Sequence, residues 1–440
     1  MLLNFHRFPL SRLVSGAMLS ALVLSGCQTL SLVPEPKSLT VVTVKADDVE
    51  RHQFALAEDQ ALIGRLAQVD TEDDDTLSDL ARHFGLGFND ITIANPQLDP
   101  WALDDQQTVL LPLQFILPEA PRNGIVLNLA NMRLFYYPKN QNSVQTYPVG
   151  IGRDGWNTPL GATRIVAKKA HPAWTVPESI QREHQALGEP LPKVVPSGPE
   201  NPLGDYAMPL GFNGYLIHGT NKPYGIGMQV SHGCVQLYPE DVEVLFEQVD
   251  VGTPVRIVHQ PYLAALNQNG LYLEAHRPLE KWLKQEKSLQ KSVKERLAAL
   301  ATDKGIDVDW LEVDRVLARA DGVPTPVMQG GPDRMQWRGD ALQVAHPARL
   351  FGQPVPAELT AQDWSLLFPD LDNELEAEKL AAMLNHLGPQ IPARKVEKDG
   401  VFQVVAGPFK SKKETKVIAK RIKSSFDLEV TPVKPSSMTN

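Results

Sequence analysis

Residues 231–237 read Ser-His-Gly-Cys-Val-Gln-Leu, and thirteen residues before Ser231 stands His218, in Ile-His-Gly-Thr. Cys234 is one of two cysteines in the 440 residues; the other is Cys27. A single thiol between glycine and valine, just after one histidine and near a second, has the parts of a cysteine nucleophile. Thiolate attack needs a base or cation to draw off the thiol proton, and backbone N–H groups to hold an oxyanion. Gly233 admits a backbone conformation that a side chain resists. The competing reading is a buried structural cysteine.

The surrounding blocks share one pattern: "GIVLNLANMRLFYYP" (124–138), "TPLGATRI" (158–165), "PAWTVPESI" (172–180), "NPLGDYAMPLG" (201–211), "YLIHGTNKPYGIGMQVSHGCVQLYPEDVEVLF" (215–246) and "GTPVRIV" (252–258). In this order, from about Arg122 to His259, they resemble the L,D-transpeptidase catalytic domain of the YkuD type, cysteine enzymes that remodel bacterial peptidoglycan. The resemblance implies Cys234 as nucleophile, His218 as its general base and the Gly219 carbonyl as the group that orients the imidazole. It implies an oxyanion site from the N–H groups of His232, Gly233 and Cys234, with Ser231 supporting the turn and His232 structural or substrate-contacting rather than a second base. Lys222, Tyr224 and Gln236 are the candidate substrate contacts. Most members carry arginine where this chain has Gln236, so the bidentate carboxylate partner a guanidinium offers is missing there.

The implied reaction is acyl transfer. The thiolate attacks the carbonyl joining a stem-peptide diamino acid to D-alanine, D-alanine leaves, and an amine from a second stem or from a lipoprotein lysine resolves the thioester. Water as acceptor makes the enzyme a carboxypeptidase, or an amidase that releases wall-linked lipoprotein. A non-catalytic peptidoglycan-binding lipoprotein is the alternative from another class. No metal-ligand cluster and no phosphate loop is present in the sequence, so no cofactor is expected.

The elements that must position these residues belong to a multidomain α+β chain. Residues 1–27 carry Arg7 and Arg12, an apolar run from Ala17 to Leu24, and Leu-Ser-Gly-Cys at the end. That is the form of a secretory signal, too short to span a bilayer, and it resembles a lipobox in which Cys27 is acylated. Gln28 after that cysteine resembles the outer-membrane sorting default, which implies a periplasmic, lipid-anchored protein. Cys234 is then left without a disulfide partner. Residues 28–70 read as a tether. Over 71–114, Leu77, Leu80, Ala81 and Phe84 take helical spacing, Ile91 and Ala94 a second helix, and Val109 to Leu111 a closing strand. This resembles a βααβ LysM module, which binds N-acetylglucosamine-containing glycans.

Residues 120–277 form the mainly-β catalytic region, with a hairpin of alternating Ile125, Leu127, Leu129 and Met132, Leu134, Tyr136. The proline-rich stretch 172–209 reads as long ordered loops rather than helix, and Pro239 to Val249 as a helix facing inward through Val242, Leu245 and Phe246. Residues 278–320 carry a helical stripe through Leu283, Leu289, Val293 and Leu297, a helical appendage or a partner-binding lid. Residues 321–358 read as a Gly/Pro-rich linker. From 359 to 435, two strand–helix–strand halves joined at Asp399-Gly400 predict a ferredoxin-like βαββαβ sheet. With "VAGPF" (405–409) this resembles a SPOR domain, which binds peptidoglycan glycan strands. The net charge of −9 argues against non-specific nucleic-acid binding, which needs a basic field.

Overall fold

The computed structural model describes residues 43–186, 190–360 and 362–434. The signal segment, Cys27 and the first part of the expected tether lie outside the described residues.

A six-stranded sheet sits at the centre, in the order Gly161–Arg164, Pro254–Val258, Gly124–Asn128, Arg133–Tyr137, Ser143–Pro148, Gln53–Ala55. Both of its faces are buried. Ile125, Leu127, Leu134 and Tyr136 point into one core, beside Met208, Ile217, Val235 and Leu245. Val126, Phe135, Tyr137 and Val144 point into another, beside Leu77, Leu80, Phe84 and Leu111. Successive strand residues face opposite ways, so a sheet covered on both sides reads as an almost unbroken apolar run, as at residues 124–138.

Residues 43–70 depart from the tether reading: they are folded. Gln53–Ala55 pairs with Ser143–Gln145 at the edge of the central sheet, and Ala67–Asp70 pairs antiparallel with Thr108–Leu111. The module expected to start at residue 71 therefore takes its first strand from 67–70. Between its strands lie α1 (Leu77–His83) and α2 (Phe88–Ala94). Thr76 caps α1 by accepting from the Asp79 N–H and donating to its carboxylate at 2.7 Å.

Opposite the central sheet, across the core of Ile125, Leu127 and Leu134, lies a four-stranded sheet: Lys169–Ala170, Tyr206–Pro209, Leu216–His218, Val235–Gln236. The stretch 172–209 contains α3 (Glu178–Ala186), where the prolines suggested loops alone. Pro177 stands just before this helix, where a missing N–H costs no helical bond. Its carbonyl accepts from the Gln181 N–H at 3.0 Å. Helix α4 (Pro239–Gln248) packs inward through Val242 and Leu245.

The boundary expected at 277 also moves. Tyr262–Asn267 and Gly270–Ala275 leave the catalytic sandwich and join Thr325–Pro326 in a separate antiparallel sheet. It is covered by α5 (Glu286–Lys304) and α6 (Trp310–Arg319) around Leu273, Val293, Leu297 and Val316. Period-two alternation is the same on either side of such a boundary, so the pattern carried no mark of it. The expected linker is likewise knitted in: after α7 (Arg334–Gly339), Leu342–Ala345 runs parallel between Val44–Lys45 and Ala67–Asp70.

The C-terminal module runs Trp364–Leu367, α8 (Glu374–His386), Ala393–Lys398, Val401–Phe409, α9 (Lys412–Phe426), Thr431–Val433. Its sheet order is second, third, first, fourth, with every pair antiparallel. Helix α8 docks on α1. His386 Nε2 lies 2.9 Å from Asp79 Oδ1, and Nδ1 lies 2.7 Å from the Ala382 carbonyl. Both partners only accept, so the ring is held as imidazolium. Burial alone lowers its pKa, but the Asp79 hydrogen bond and charge outweigh burial and raise it above the ordinary 6.5.

A folded pKa raised above the unfolded value contributes stability that is complete below 6.5 and lost as pH rises through the folded value. Protection factors at α1 and α8, that is, exchange rates corrected for their intrinsic rise with pH, should therefore fall on moving from about pH 6 to about pH 9. His386→Gln should flatten that dependence, and equal pH dependence in both proteins would dismiss the ion pair as the cause.

Candidate active site

The parallel pairing of Leu216–His218 with Val235–Gln236 puts Ile217 opposite Val235 and His218 opposite Gln236. Ile217 and Val235 are fully buried in the core between the sheets. By alternation, His218 and Gln236 share the opposite face. Cys234 stands at the start of the Val235–Gln236 strand, its Sγ 3.8 Å from the Gly214 carbonyl.

His218 is buried, and its Nδ1 lies 2.6 Å from the Gly219 carbonyl. A carbonyl can only accept, so Nδ1 carries the proton and Nε2 presents a lone pair. Burial pushes the ring pKa down to about 4, against backbone hydrogen bonds to Gly219 and Leu203 that act to raise it. The Cys234 thiol is half-buried. Burial raises its pKa above the ordinary value, against a backbone hydrogen bond from Leu216. Both shifts favour the uncharged thiol and the uncharged imidazole.

The turn at 231–234 is held from several sides. Ser231 Oγ donates to the Cys234 carbonyl at 2.6 Å and accepts from the Gly233 N–H at 3.1 Å. Thr158 Oγ1 donates to the Gly233 carbonyl at 2.8 Å, and the Arg153 N–H donates to the Ser231 carbonyl at 2.9 Å. Gly233 has φ +103, and a Cβ there would stand 2.8 Å from a Tyr215 ring carbon. Because its N–H is committed to Ser231, an oxyanion is left the N–H groups of His232 and Cys234 from the expected three.

His232 meets groups the sequence reading did not single out. Its ring lies edge-on to Trp156, with centroids 4.8 Å apart. Its Nε2 is 2.8 Å from Glu183 Oε2 on α3 and 3.0 Å from Arg153 Nη2, and Arg153 pairs with Glu183. Hydrogen bonds from His232 and then Arg153 lower the Glu183 pKa. One ring nitrogen can donate to the carboxylate or accept from the guanidinium, but not both. A helix hidden among prolines brought Glu183, so no local pattern announced it.

Gln236 exchanges both backbone hydrogen bonds with Gly150, each at 2.8 Å. Lys222 and Tyr224 lie on a loop that the C-terminal module approaches, and the Lys222 N–H donates to Thr220 Oγ1 at 2.9 Å. Gly388 abuts Asn221 and Lys222. Burial raises the Tyr224 pKa, with Arg421 of α9 opposing.

Residues 122–257 match the family model for the L,D-transpeptidase catalytic domain, and residues 361–430 match the model for the SPOR domain. Probable L,D-transpeptidase YbiS of Escherichia coli K12 is 45% identical over 201 residues, 45% of this chain and 65% of that protein. Probable L,D-transpeptidase ErfK/SrfK of Salmonella typhimurium is 38% identical over 280 residues, 62% of this chain and 90% of that protein. The chain thus spans just under two thirds of the first relative and nearly all of the second. A solved catalytic domain of an Enterococcus faecium L,D-transpeptidase aligns at 23% identity, over 32% of this chain and 99% of that one, with a TM-score of 0.24. This chain belongs to the L,D-transpeptidase family.

A neutral thiol–imidazole pair makes a specific kinetic signature. Alkylation of Cys234 by iodoacetamide should rise continuously with pH, without the flat acidic arm that a preformed thiolate shows between about pH 5 and pH 8. Such a plateau would contradict the neutral pair. Gly233→Ala should slow the same alkylation by about tenfold or more through displacement of the turn.

Proposed function

We propose that the chain is a peptidoglycan L,D-transpeptidase working through a thioester on Cys234. The observation that carries this reading is the hydrogen bond from His218 Nδ1 to the Gly219 carbonyl, which leaves Nε2 as the basic nitrogen. In this mechanism Nε2 takes the thiol proton as sulfur bonds to the carbonyl carbon between the diamino acid and D-alanine. Negative charge forms on the carbonyl oxygen and meets the N–H groups of His232 and Cys234. The C–N bond then breaks, the imidazolium proton passes to the departing D-alanine amine, and the acyl group stays on sulfur. An acceptor amine attacks the thioester, gives its proton to His218 through the same site, and leaves Cys234 as the thiol.

The buried imidazole suits this cycle. Its low pKa keeps Nε2 unprotonated at neutral pH, and it becomes charged only as the thiolate forms beside it. Arg153, hydrogen-bonded beside His232 and paired with Glu183, puts a guanidinium next to the turn at 231–234. Stem peptides are the substrate of this reading, and the acceptor is the amine of a second stem or of a lipoprotein lysine. Glycan binding by the C-terminal module and by the βααβ module at 67–111 concentrates the enzyme on its polymer. Acylation of Cys27 holds it in the periplasm, at the outer membrane.

Purified disaccharide-tetrapeptide muropeptides, incubated with the protein lacking residues 1–27, should yield cross-linked dimers with loss of D-alanine. Cys234→Ala should reduce the rate by on the order of 10³ or more. Loss of D-alanine without dimers would replace the transpeptidase with a carboxypeptidase, and turnover that survives Cys234→Ala would place the nucleophile elsewhere. Cys27→Ala should move the protein from the membrane fraction to the soluble fraction, and unchanged fractionation would remove the anchor.

A further inference from the structure

A cleft of about 630 Å³ opens on the far side of α4 from its packed face, lined by Asp47, Arg51, His52, Arg82, His83, Glu240, Asp241, Arg349 and Phe351 among others. Three of these side chains bring polar atoms that are shielded from solvent and have no hydrogen-bond partner among the described residues: Arg51 Nη1, His83 Nε2 and Asp241 Oδ2. His83 and Asp241 are each more than nine-tenths buried. Buried polar groups ordinarily find partners, so three unpaired ones lining a single cleft call for an occupant.

The proton positions define what that occupant must be. The Phe351 N–H donates to His83 Nδ1 at 2.9 Å, so the His83 proton sits on Nε2, which is a donor. Burial, with Arg51 adding to it, lowers the His83 pKa to about 4, so the ring stays neutral in that tautomer. Arg51 Nη1 is a donor in every state. His52 Nδ1 donates to the Thr146 carbonyl at 3.3 Å, leaving an acceptor Nε2 3.8 Å from Asp241 Oδ1. Burial and then Glu240 raise the Asp241 pKa, against Arg133, Arg82 and Arg51. This favours the protonated carboxyl over a carboxylate that would repel an anion.

The other charges do not alter the sign. Arg82 and Glu240 neutralise each other through two hydrogen bonds of 2.8 Å. Asp47 is exposed and works against an anion; Arg349, also exposed, offsets it. Unpaired donors lining one cleft with a net positive balance ask for oxygen acceptors carrying negative charge.

We propose that this cleft is a binding site for a small oxyanion, a carboxylate or a phosphate, held by Arg51 Nη1 and His83 Nε2 with Asp241 at its side. A carboxylate is matched by the planar guanidinium fork and can share the Asp241 proton; a phosphate offers oxygens enough to meet all three groups at once. The site lies outside the Cys234 cluster and does not depend on the chemistry assigned to it.

The test uses the full-length protein with ¹⁵N-labelled histidine. Acetate or inorganic phosphate is titrated against chloride at constant ionic strength, and the His83 ring nitrogens are followed by long-range ¹H–¹⁵N correlation. His83→Gln assigns the signal. The expected result is a saturable displacement of the His83 resonances by one or both anions, with a rise in Tm under the same conditions. Saturation by acetate alone identifies a carboxylate site, and by phosphate alone a phosphoryl site. Arg51→Gln should abolish the displacement, the exposed Arg349→Gln should weaken it several-fold without loss of fold, and Cys234→Ala should leave it unchanged. A non-saturating drift with both anions, or an undiminished displacement in Arg51→Gln, would overturn the proposal.

Discussion

The site rests on the pairing of Ile217 with Val235. Because strand side chains alternate, that one register puts His218 and Gln236 together on the face away from this core, with Cys234 at the start of the strand. A slip of one residue would turn the cysteine into the core and bring Val235 out. What prevents the slip is burial: both residues are enclosed between two sheets, among Ile125, Leu127, Leu134, Val242 and Leu245. Exposing Val235 and burying a polar group in its place costs several kcal/mol by any reckoning of apolar area and unpaired hydrogen bonds. The chemistry is thus positioned by hydrophobic packing, and the polar contacts refine it.

Burial that secures the register also determines the protonation states. A fully enclosed imidazole resists charge, and a half-enclosed thiol resists becoming thiolate. Both shifts oppose a resting ion pair. They leave the Gly219 carbonyl, rather than a carboxylate, as the group that chooses the tautomer. A carboxylate there would stabilise imidazolium before substrate arrives; a neutral acceptor orients the ring with less bias toward its charged form. Glu183 and Arg153, which do carry charge, meet the other histidine, and the mutual neutralisation of that pair limits the field it casts on the thiol.

Much of this was legible in the residues, and the failures have physical causes. The nucleophile segment, the 124–137 hairpin and α4 were visible because each carries its own local pattern. So was the two-residue turn at Asp399 and Gly400, both at positive φ. The strands 53–55, 62–64 and 67–70 were not, because three or four residues hold too few alternations to rise above a charged background. Leu342–Ala345 was hidden for a different reason. It earns its place by pairing with strands 275 and 300 residues earlier, from Gln343 to Gln68 and from Val344 to Val44, and a Gly/Pro-rich neighbourhood gives no sign of such distant partners. The Arg153–Glu183–His232 cluster is of the same kind: three separated segments meet only in the folded chain.

Tertiary pairing of that sort also changes what the flanking modules do. The loop that follows His218 supplies the Gly219 carbonyl, and its far end is held by the N-terminal module. The Phe88 N–H donates to the Ile226 carbonyl at 2.9 Å, and Gly87 and Gly227 approach so closely that a Cβ on either would meet the other's backbone at about 2.5 Å. Its middle is covered by the C-terminal module, where Gly388 lies against Asn221 and Lys222. Helix α8, which leads into that contact, is itself fastened to α1 through His386 and Asp79. The two modules therefore close a ring of contacts around the segment whose Gly219 carbonyl orients His218. A carbonyl that must stay within hydrogen-bond reach of one ring nitrogen benefits from support on both sides, since a displacement of even one ångström would free the imidazole to turn. The flanking modules thus support the loop mechanically from both sides.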